Sequence, residues 1–119
     1  MRNKHNNRIL GRNATERGYL LKGLTSALLE HGAITTTEAK AKELRKHVEP
    51  LITRAKQELT LANRRLLLGQ LQGQDDLESL VKVGKANAKR PGGYVRLTRL
   101  PSERHDNAPV TRVEIIDFT

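Results

Sequence analysis

The clearest change in the spacing of apolar residues along this chain falls at Pro91-Gly92-Gly93. Over most of residues 13–90, apolar residues recur every three or four positions, which is typical of amphipathic helices. After it, residues 94–100 and 110–117 alternate polar and apolar side chains, which is typical of strands. Because proline and paired glycines end helices, the sequence predicts a helical part followed by a C-terminal β-hairpin, with residues 101–109 as the connecting loop.

The helical part opens with a start and a stop signal. Asn13 followed by Glu16 resembles a capping box, and Gly32 is a typical helix-ending residue, so the first helix is predicted between them. Residues 33–37 (AITTT) are rich in β-branched side chains and predict a brief strand. Together with the hairpin, this strand makes a three-stranded sheet possible.

The second helix is predicted to start at Thr35 with Glu38, or one or two residues later. Pro50 lacks a backbone donor and clashes with the preceding turn, which predicts a kink or break in this helix. Helical spacing predicts an apolar side made of Ala41, Leu44, Val48, Leu51 and Ala55. The same spacing predicts a polar, net basic side made of Lys42, Lys46, Glu49, Thr53 and Lys56.

Two shorter helices are predicted next. Residues 61–72 form the third, with Thr60 as its cap and Gly73 at its end. Asp75 with Glu78 resembles another capping box and predicts the start of a fourth helix. The chain shows no internal repeat and no second domain, so its 119 residues predict one small core.

The positive charge is large and localised. The chain has 22 Lys and Arg against 13 Asp and Glu, with a formal charge of +9 and a pI of about 10.4. Residues 1–24 contain six basic residues and one acidic residue, and residues 85–104 contain the same numbers. Charge concentrated in two segments indicates a polyanion-binding surface. The alternative is a solvated surface with disordered ends.

The N-terminal segment follows neither a helical nor a strand pattern. It is basic and Asn-rich, with Ile9 and Leu10 as its apolar neighbours, so it buries too little to order itself. We interpret residues 1–12 as a basic arm that becomes ordered on a partner. Residues 13–119 then form a single domain.

Several classes of protein are excluded by what the sequence lacks. There is no cysteine, so disulfides and thiolate metal sites are excluded, which fits a reducing compartment. The four histidines have no zinc-ligand spacing, and no nucleophile elbow or phosphate-binding glycine loop is present. We therefore expect no enzyme, no metal and no cofactor. No apolar run is long enough to cross a bilayer and no secretory signal is present, so a soluble, intracellular protein is expected.

Tyr94 has two interpretations. Alternation places it on one strand face with Arg96, Thr98 and Leu100, where it would contact an RNA backbone. In the other interpretation it covers the edge of the core. The chain has three aromatic residues, too few for recognition by a row of stacked bases.

Several motifs, taken in order, are similar to the bacterial large-subunit ribosomal protein L17 family. The similarity covers nearly the whole chain. The motifs are Met1-Arg2, Arg8, Leu10, Arg12-Asn13, Arg17, residues 34–45 (ITTTEAKAKELR), 48–53 (VEPLIT), 62–65 (ANRR), 92–96 (GGYVR) and 106–109 (DNAP).

This resemblance implies an α+β fold: helices packed on a small, about three-stranded mixed sheet, with the C-terminal hairpin and an extended basic N-terminal arm. It implies a structural constituent of the large ribosomal subunit that binds and stabilises large-subunit (23S) ribosomal RNA. It also implies neighbouring large-subunit proteins near the peptide-exit side, a cytoplasmic, ribosome-bound location, no membrane and no small-molecule substrate.

The charge distribution supplies candidate RNA-binding residues. These are Arg2, Lys4, Arg8, Arg12, Arg17, Lys40, Lys42, Arg90, Tyr94, Arg96, Arg99 and Arg104. The alternative function is a DNA-binding architectural or helix-turn-helix protein, which would need a recognition helix and usually a dimer seam. An RNA-modifying enzyme would need a catalytic constellation that the sequence does not show.

Overall fold

The computed structural model describes Leu10, residues 13–101 and residues 108–118. Within these ranges, four helices and three strands follow one another along the chain. They are α1 (Ala14–His31), β1 (Ala33–Thr37), α2 (Glu38–Ala55), α3 (Leu61–Gln70), α4 (Gln74–Ala86), β2 (Val95–Leu100) and β3 (Val110–Ile115). The predicted arm lies outside the described residues except for Leu10, so the division at residue 12 stays a prediction.

The three strands form one sheet in the order β1-β3-β2. β2 and β3 pair antiparallel, with Val95 opposite Ile115 and Leu100 opposite Val110, which confirms the C-terminal hairpin. β1 also pairs antiparallel with β3, with Ala33 opposite Glu114. The α+β class with a three-stranded sheet is confirmed. Both pairings are antiparallel. The expectation of a mixed sheet is therefore wrong, because β1 runs opposite to β3.

The helices pack on one face of the sheet, and α2 lies at the centre of the core. All five residues predicted on the apolar side of α2 are buried, and Ile52 joins them. The other helices add Leu28 and Leu29 of α1, Leu67 of α3, and Leu77, Leu80 and Val83 of α4 to the helical layer. The sheet meets this layer through Val95, Val113 and Ile115.

The ends of α1 follow the predicted signals. The Asn13 side chain accepts a hydrogen bond of 2.9 Å from the backbone N–H of Glu16. Gly32 adopts a left-handed conformation with φ of 79°, and its N–H donates to the carbonyl of Leu28. A Cβ on Gly32 would lie 2.5 Å from the ring of Phe118, so both its conformation and its packing require glycine.

Two predictions about the helices need correction. α2 is continuous through Pro50, so of the predicted kink or break, the break does not occur. Val48, Leu51 and Ile52 are buried on both sides of the proline, and their packing outweighs the one missing backbone hydrogen bond. α4 begins at Gln74 with Gly73 as its N-cap, so the predicted capping box at Asp75 does not form.

The two aspartates at the start of α4 serve the helix in another way. Asp75 and Asp76 lie in its first turn, where a negative charge favours the helix dipole. Asp76 also accepts a hydrogen bond of 3.1 Å from the hydroxyl of Ser26 in α1. This bond ties the first helix to the last.

Candidate nucleic-acid interface

The outer face of the sheet lies opposite the helical layer, and no described helix covers it. Its residues come from alternate positions of each strand, because successive strand side chains point to opposite faces. They are Ala33, Thr35 and Thr37 of β1, Val110, Arg112 and Glu114 of β3, and Arg96, Thr98 and Leu100 of β2. This face is therefore largely polar, with Thr35, Arg96, Thr98 and Arg112 exposed and its other positions half-buried.

Two arginines on the outer face share one carboxylate. The Arg96 guanidinium lies 3.2 Å from Glu114, on the opposite position of the neighbouring strand. Arg112, two residues from Glu114 on the same strand, lies 3.7 Å from its other oxygen. The Arg96 and Arg112 side chains are 61% and 49% exposed, so the pairs are screened by water and contribute little stability. Because one carboxylate pairs with two guanidinium groups, the cluster keeps a net positive charge, and several guanidinium donors face solvent.

A second basic group lies where the end of β2 meets the start of α2. The Glu38 carboxylate is 2.9 Å from the Lys42 ammonium and 3.9 Å from the Arg99 guanidinium. The Glu38 backbone N–H donates to the carbonyl of Pro109, which fixes this corner against the hairpin loop. Arg99 is 72% exposed, so most of its donors remain available to a partner.

Arg90 has an internal role in the structure. Its guanidinium donates to the side chain of Asn87 at 3.0 Å and to the carboxylate of Asp117 at 2.8 Å. Asn87 is buried and donates in turn to the carbonyls of Val83 and Ile116. These bonds fasten the segment after α4 to the C-terminal segment, and Asp117 offsets the positive charge of Arg90.

Tyr94 lies in the core, with 1% of its surface exposed. The Lys56 ammonium donates to its hydroxyl at 3.0 Å, donates to the carbonyl of Arg90, and lies 5.0 Å from the centre of the Tyr94 ring. The hydrogen bond from Lys56, assisted by one with Thr53, lowers the pKa of Tyr94. Tyr94 precedes β2 and departs from its alternation, since Arg96 is exposed. This placement favours the core interpretation over a contact with RNA.

The remaining candidate residues are dispersed or lie outside the described ranges. Lys40 is half-buried on α2, and Arg17 is half-buried on α1, where it borders a depression with Leu21, Glu43 and His47. Neither joins the outer-face residues or the Glu38 corner. The residues outside the described ranges are Arg2, Lys4, Arg8, Arg12 and Arg104.

Some basic residues on exposed surfaces were missed by the charge-based selection. Arg112 occupies a polar position of the predicted second hairpin strand, so alternation could have identified it. Arg45 lies on α2 three residues after Lys42 and four before Glu49, so helical spacing could have placed it on the polar side. Arg64 and Arg65 are exposed on α3, a helix without acidic residues.

In the described ranges, no group of three or more histidine, cysteine or acidic side chains is arranged to hold a metal ion. Among the described helices, none combines the length and apolar character needed to cross a membrane.

The chain also matches a known protein family. The model of the family described as "Ribosomal protein L17" matches residues 20–116. The matched range contains most of α1 and every other helix and strand. It also contains the arginine pair on the outer face and the Glu38 corner.

Proposed function

Because the chain belongs to the ribosomal protein L17 family and is a structural component of the large ribosomal subunit, we propose that it binds and stabilises large-subunit ribosomal RNA. The role is structural and not catalytic. We propose that it sits beside other large-subunit proteins near the peptide-exit side, as a ribosome-bound protein of the cytoplasm.

The observation that carries this proposal is the open, positively charged face of the sheet. Arg96 and Arg112 are held near a shared carboxylate, which fixes their direction while leaving donors exposed. Arginine matches phosphate with two parallel hydrogen bonds. Duplex RNA is bound mainly through its shape, its phosphates and its 2′-hydroxyls, and a polar face that no described helix covers can approach these groups.

The proposed contacts combine this face with the N-terminal segment. The outer face contributes Arg96 and Arg112, and the Glu38 corner adds Arg99 and Lys42. The arm and the start of α1 contribute Arg2, Lys4, Arg8, Arg12 and Arg17. Arg90 and Tyr94 are left out because their polar groups bond within the protein.

The salt dependence of binding to protein-free large-subunit rRNA tests this proposal. By the estimate for duplex DNA, six to ten phosphate contacts would reduce affinity by about three to five decades between roughly 50 and 200 mM salt. Folded RNA differs in magnitude but keeps the sign. Filter binding over this range, with duplex DNA as competitor, measures both strength and preference. An affinity that hardly changes with salt, or equal competition by DNA, would overturn the proposal.

A further inference from the structure

A shallow groove separates the middle of α2 from the turn that leads into β2. Arg45, Lys46, Glu49, Pro50 and Thr53 form its helix side, and Gly92 and Tyr94 form its turn side. We call this the α2–turn groove. Its lining includes none of the residues that form the ion pairs of the outer face or of the Glu38 corner.

The helix side of the groove presents a cation and an anion with free hydrogen-bonding groups. Arg45 is exposed and Glu49 is half-buried, and neither makes an ion pair or side-chain hydrogen bond with a described residue. Lys46 adds a second cation, which lies 3.3 Å from the buried carboxylate of Glu43 and is still about half exposed. The groove thus offers both donors for a phosphate and an acceptor for a hydroxyl.

Two of the lining residues are held by hydrogen bonds. The Thr53 hydroxyl donates to the carbonyl of Glu49 at 3.1 Å and lies 3.4 Å from the Tyr94 oxygen. Lys56, bonded to that oxygen, adds positive charge next to the groove. These bonds fix Thr53 and Tyr94, which come from the two sides of the groove, relative to each other.

Gly92 leaves the turn side open. A Cβ on Gly92 would meet no atom of the described residues within 4 Å, and its backbone is not left-handed. Gly93, by contrast, has φ of 65°, a conformation that favours glycine. The backbone conformation explains why residue 93 is a glycine, but neither conformation nor packing among the described residues explains the glycine at position 92. A missing side chain at an open groove gives another backbone room to approach.

We propose that the α2–turn groove seats one ribose-phosphate unit of the RNA. Arg45 and Lys46 bind the phosphate, Glu49 accepts a hydrogen bond from the ribose 2′-hydroxyl, and Gly92 gives the strand room. This inference rests on the proposed function, because it assigns one contact within the same RNA interface.

The distance between Arg45 and Glu49, and the chemistry of their side chains, fit one ribose-phosphate unit. Arg45 and Glu49 are separated by about 6 Å along the helix axis, which is comparable to one nucleotide of extended backbone. A carboxylate repels a phosphate but accepts from a hydroxyl, so Glu49 would favour RNA over DNA at this position. The 2′-hydroxyl is the group that distinguishes the two nucleic acids.

The first test uses the full chain and protein-free large-subunit rRNA. Arg45→Gln should lower the slope of log affinity against log salt by about one, because one phosphate contact is lost. Gly92→Ala should weaken binding without lowering the unfolding temperature, since its Cβ clashes with nothing among the described residues and alanine restricts the unfolded chain. Lys85→Gln, an exposed cation on α4 outside the groove, is the matched control and should bind more tightly than Arg45→Gln.

The second test addresses the 2′-hydroxyl directly. Transcripts of the rRNA carrying sparse random 2′-deoxy substitutions are selected for binding to the wild-type protein, to Glu49→Ala and to Glu58→Ala. We expect at least one position where deoxy substitution weakens wild-type binding but has no effect on Glu49→Ala. Glu58, exposed and outside the groove, should keep the wild-type pattern.

The outcomes separate this inference from the function on which it rests. If the wild-type protein fails to bind the rRNA, the proposed function itself is wrong. If it binds, but Arg45→Gln keeps the full salt slope and no deoxy effect depends on Glu49, the groove assignment alone is overturned.

Discussion

The two faces of the sheet are made from alternate residues of the same strands, yet their environments differ sharply. Toward the helices, Val95, Val113 and Ile115 are at most 6% exposed. On the other face, Arg96 and Arg112 are largely in solvent and share a carboxylate. Neighbouring positions of one strand thus lie in different environments: the inner face stabilises the fold, and the outer face holds exposed charges, which we propose bind a partner.

The strongest test of this comparison is a pair of substitutions on β3. Ile115→Ala should reduce the free energy of unfolding by about 2–5 kcal/mol, because it removes buried carbon atoms and leaves a cavity. Arg112→Ala, three residues away on the outer face, should cost less than about 1 kcal/mol. Urea unfolding of both variants measures the contrast. Equal losses would show that the outer face also supports the fold.

A smaller effect of opposite sign is expected at Thr111, on the inner face. Its hydroxyl oxygen is buried and has no hydrogen-bond partner among the described residues. Thr111→Val keeps the β-branched shape and removes the unsatisfied group, so the protein should become more stable by about 1 kcal/mol. Thr98→Val, at an exposed outer-face position, serves as the control. Destabilisation by Thr111→Val would show that the hydroxyl is satisfied in solution.

Substitutions on the outer face should change RNA binding and hardly change the free energy of unfolding. Arg96→Gln removes one exposed ion pair and should change the free energy of unfolding by less than about 1 kcal/mol. If its guanidinium contacts a phosphate, the salt slope for rRNA binding should fall by about one. Filter binding and urea unfolding of the same preparation give both values. An unchanged slope would remove Arg96 from the proposed interface.

The parts of the fold that sequence could predict depend on local chemistry. Asn13 and Gly32 mark the two ends of α1, because an Asn side chain favours the N-cap position and a glycine backbone favours the C-cap position. The buried side of α2 followed from helical spacing, and both hairpin strands followed from alternation. The partner of β1 could not be read in this way, since strand order depends on contacts between distant segments.

The candidate site was less accessible to sequence reasoning than the fold. Net charge per segment selected Arg96 and Arg99, which keep exposed donors, and also Arg90, which is bonded to Asp117. The selection took Lys40 and Lys42 from α2 but missed Arg45 of the same helix, because a charge count does not show which side chains border a groove. A segment count records how many charges there are, whereas the fold decides which charges are already paired.

The comparison of buried and exposed polar groups extends from the sheet to His47 on α2. Burial of its imidazole is the main cause that lowers its pKa below the ordinary 6.5; a hydrogen bond with the backbone of Gln70 opposes this, and the charge of Lys22 assists it. The ring borders a depression whose charged residues are Arg17, Glu43 and Lys46. Its Nε2 atom is buried without a partner among the described residues.

This environment predicts a pH-dependent stability. Because the folded pKa lies below the unfolded one, the unfolded chain binds the proton first as pH falls, so His47 costs no stability above about pH 6.5 and destabilises the fold progressively below it. His47→Gln removes the titrating group. The variant should therefore lose less stability than the wild type between about pH 7.5 and about pH 5.5 in urea unfolding. Equal losses would show that the imidazole is hydrated in the folded protein, and the contrast between buried and exposed polar groups would then be confined to the sheet.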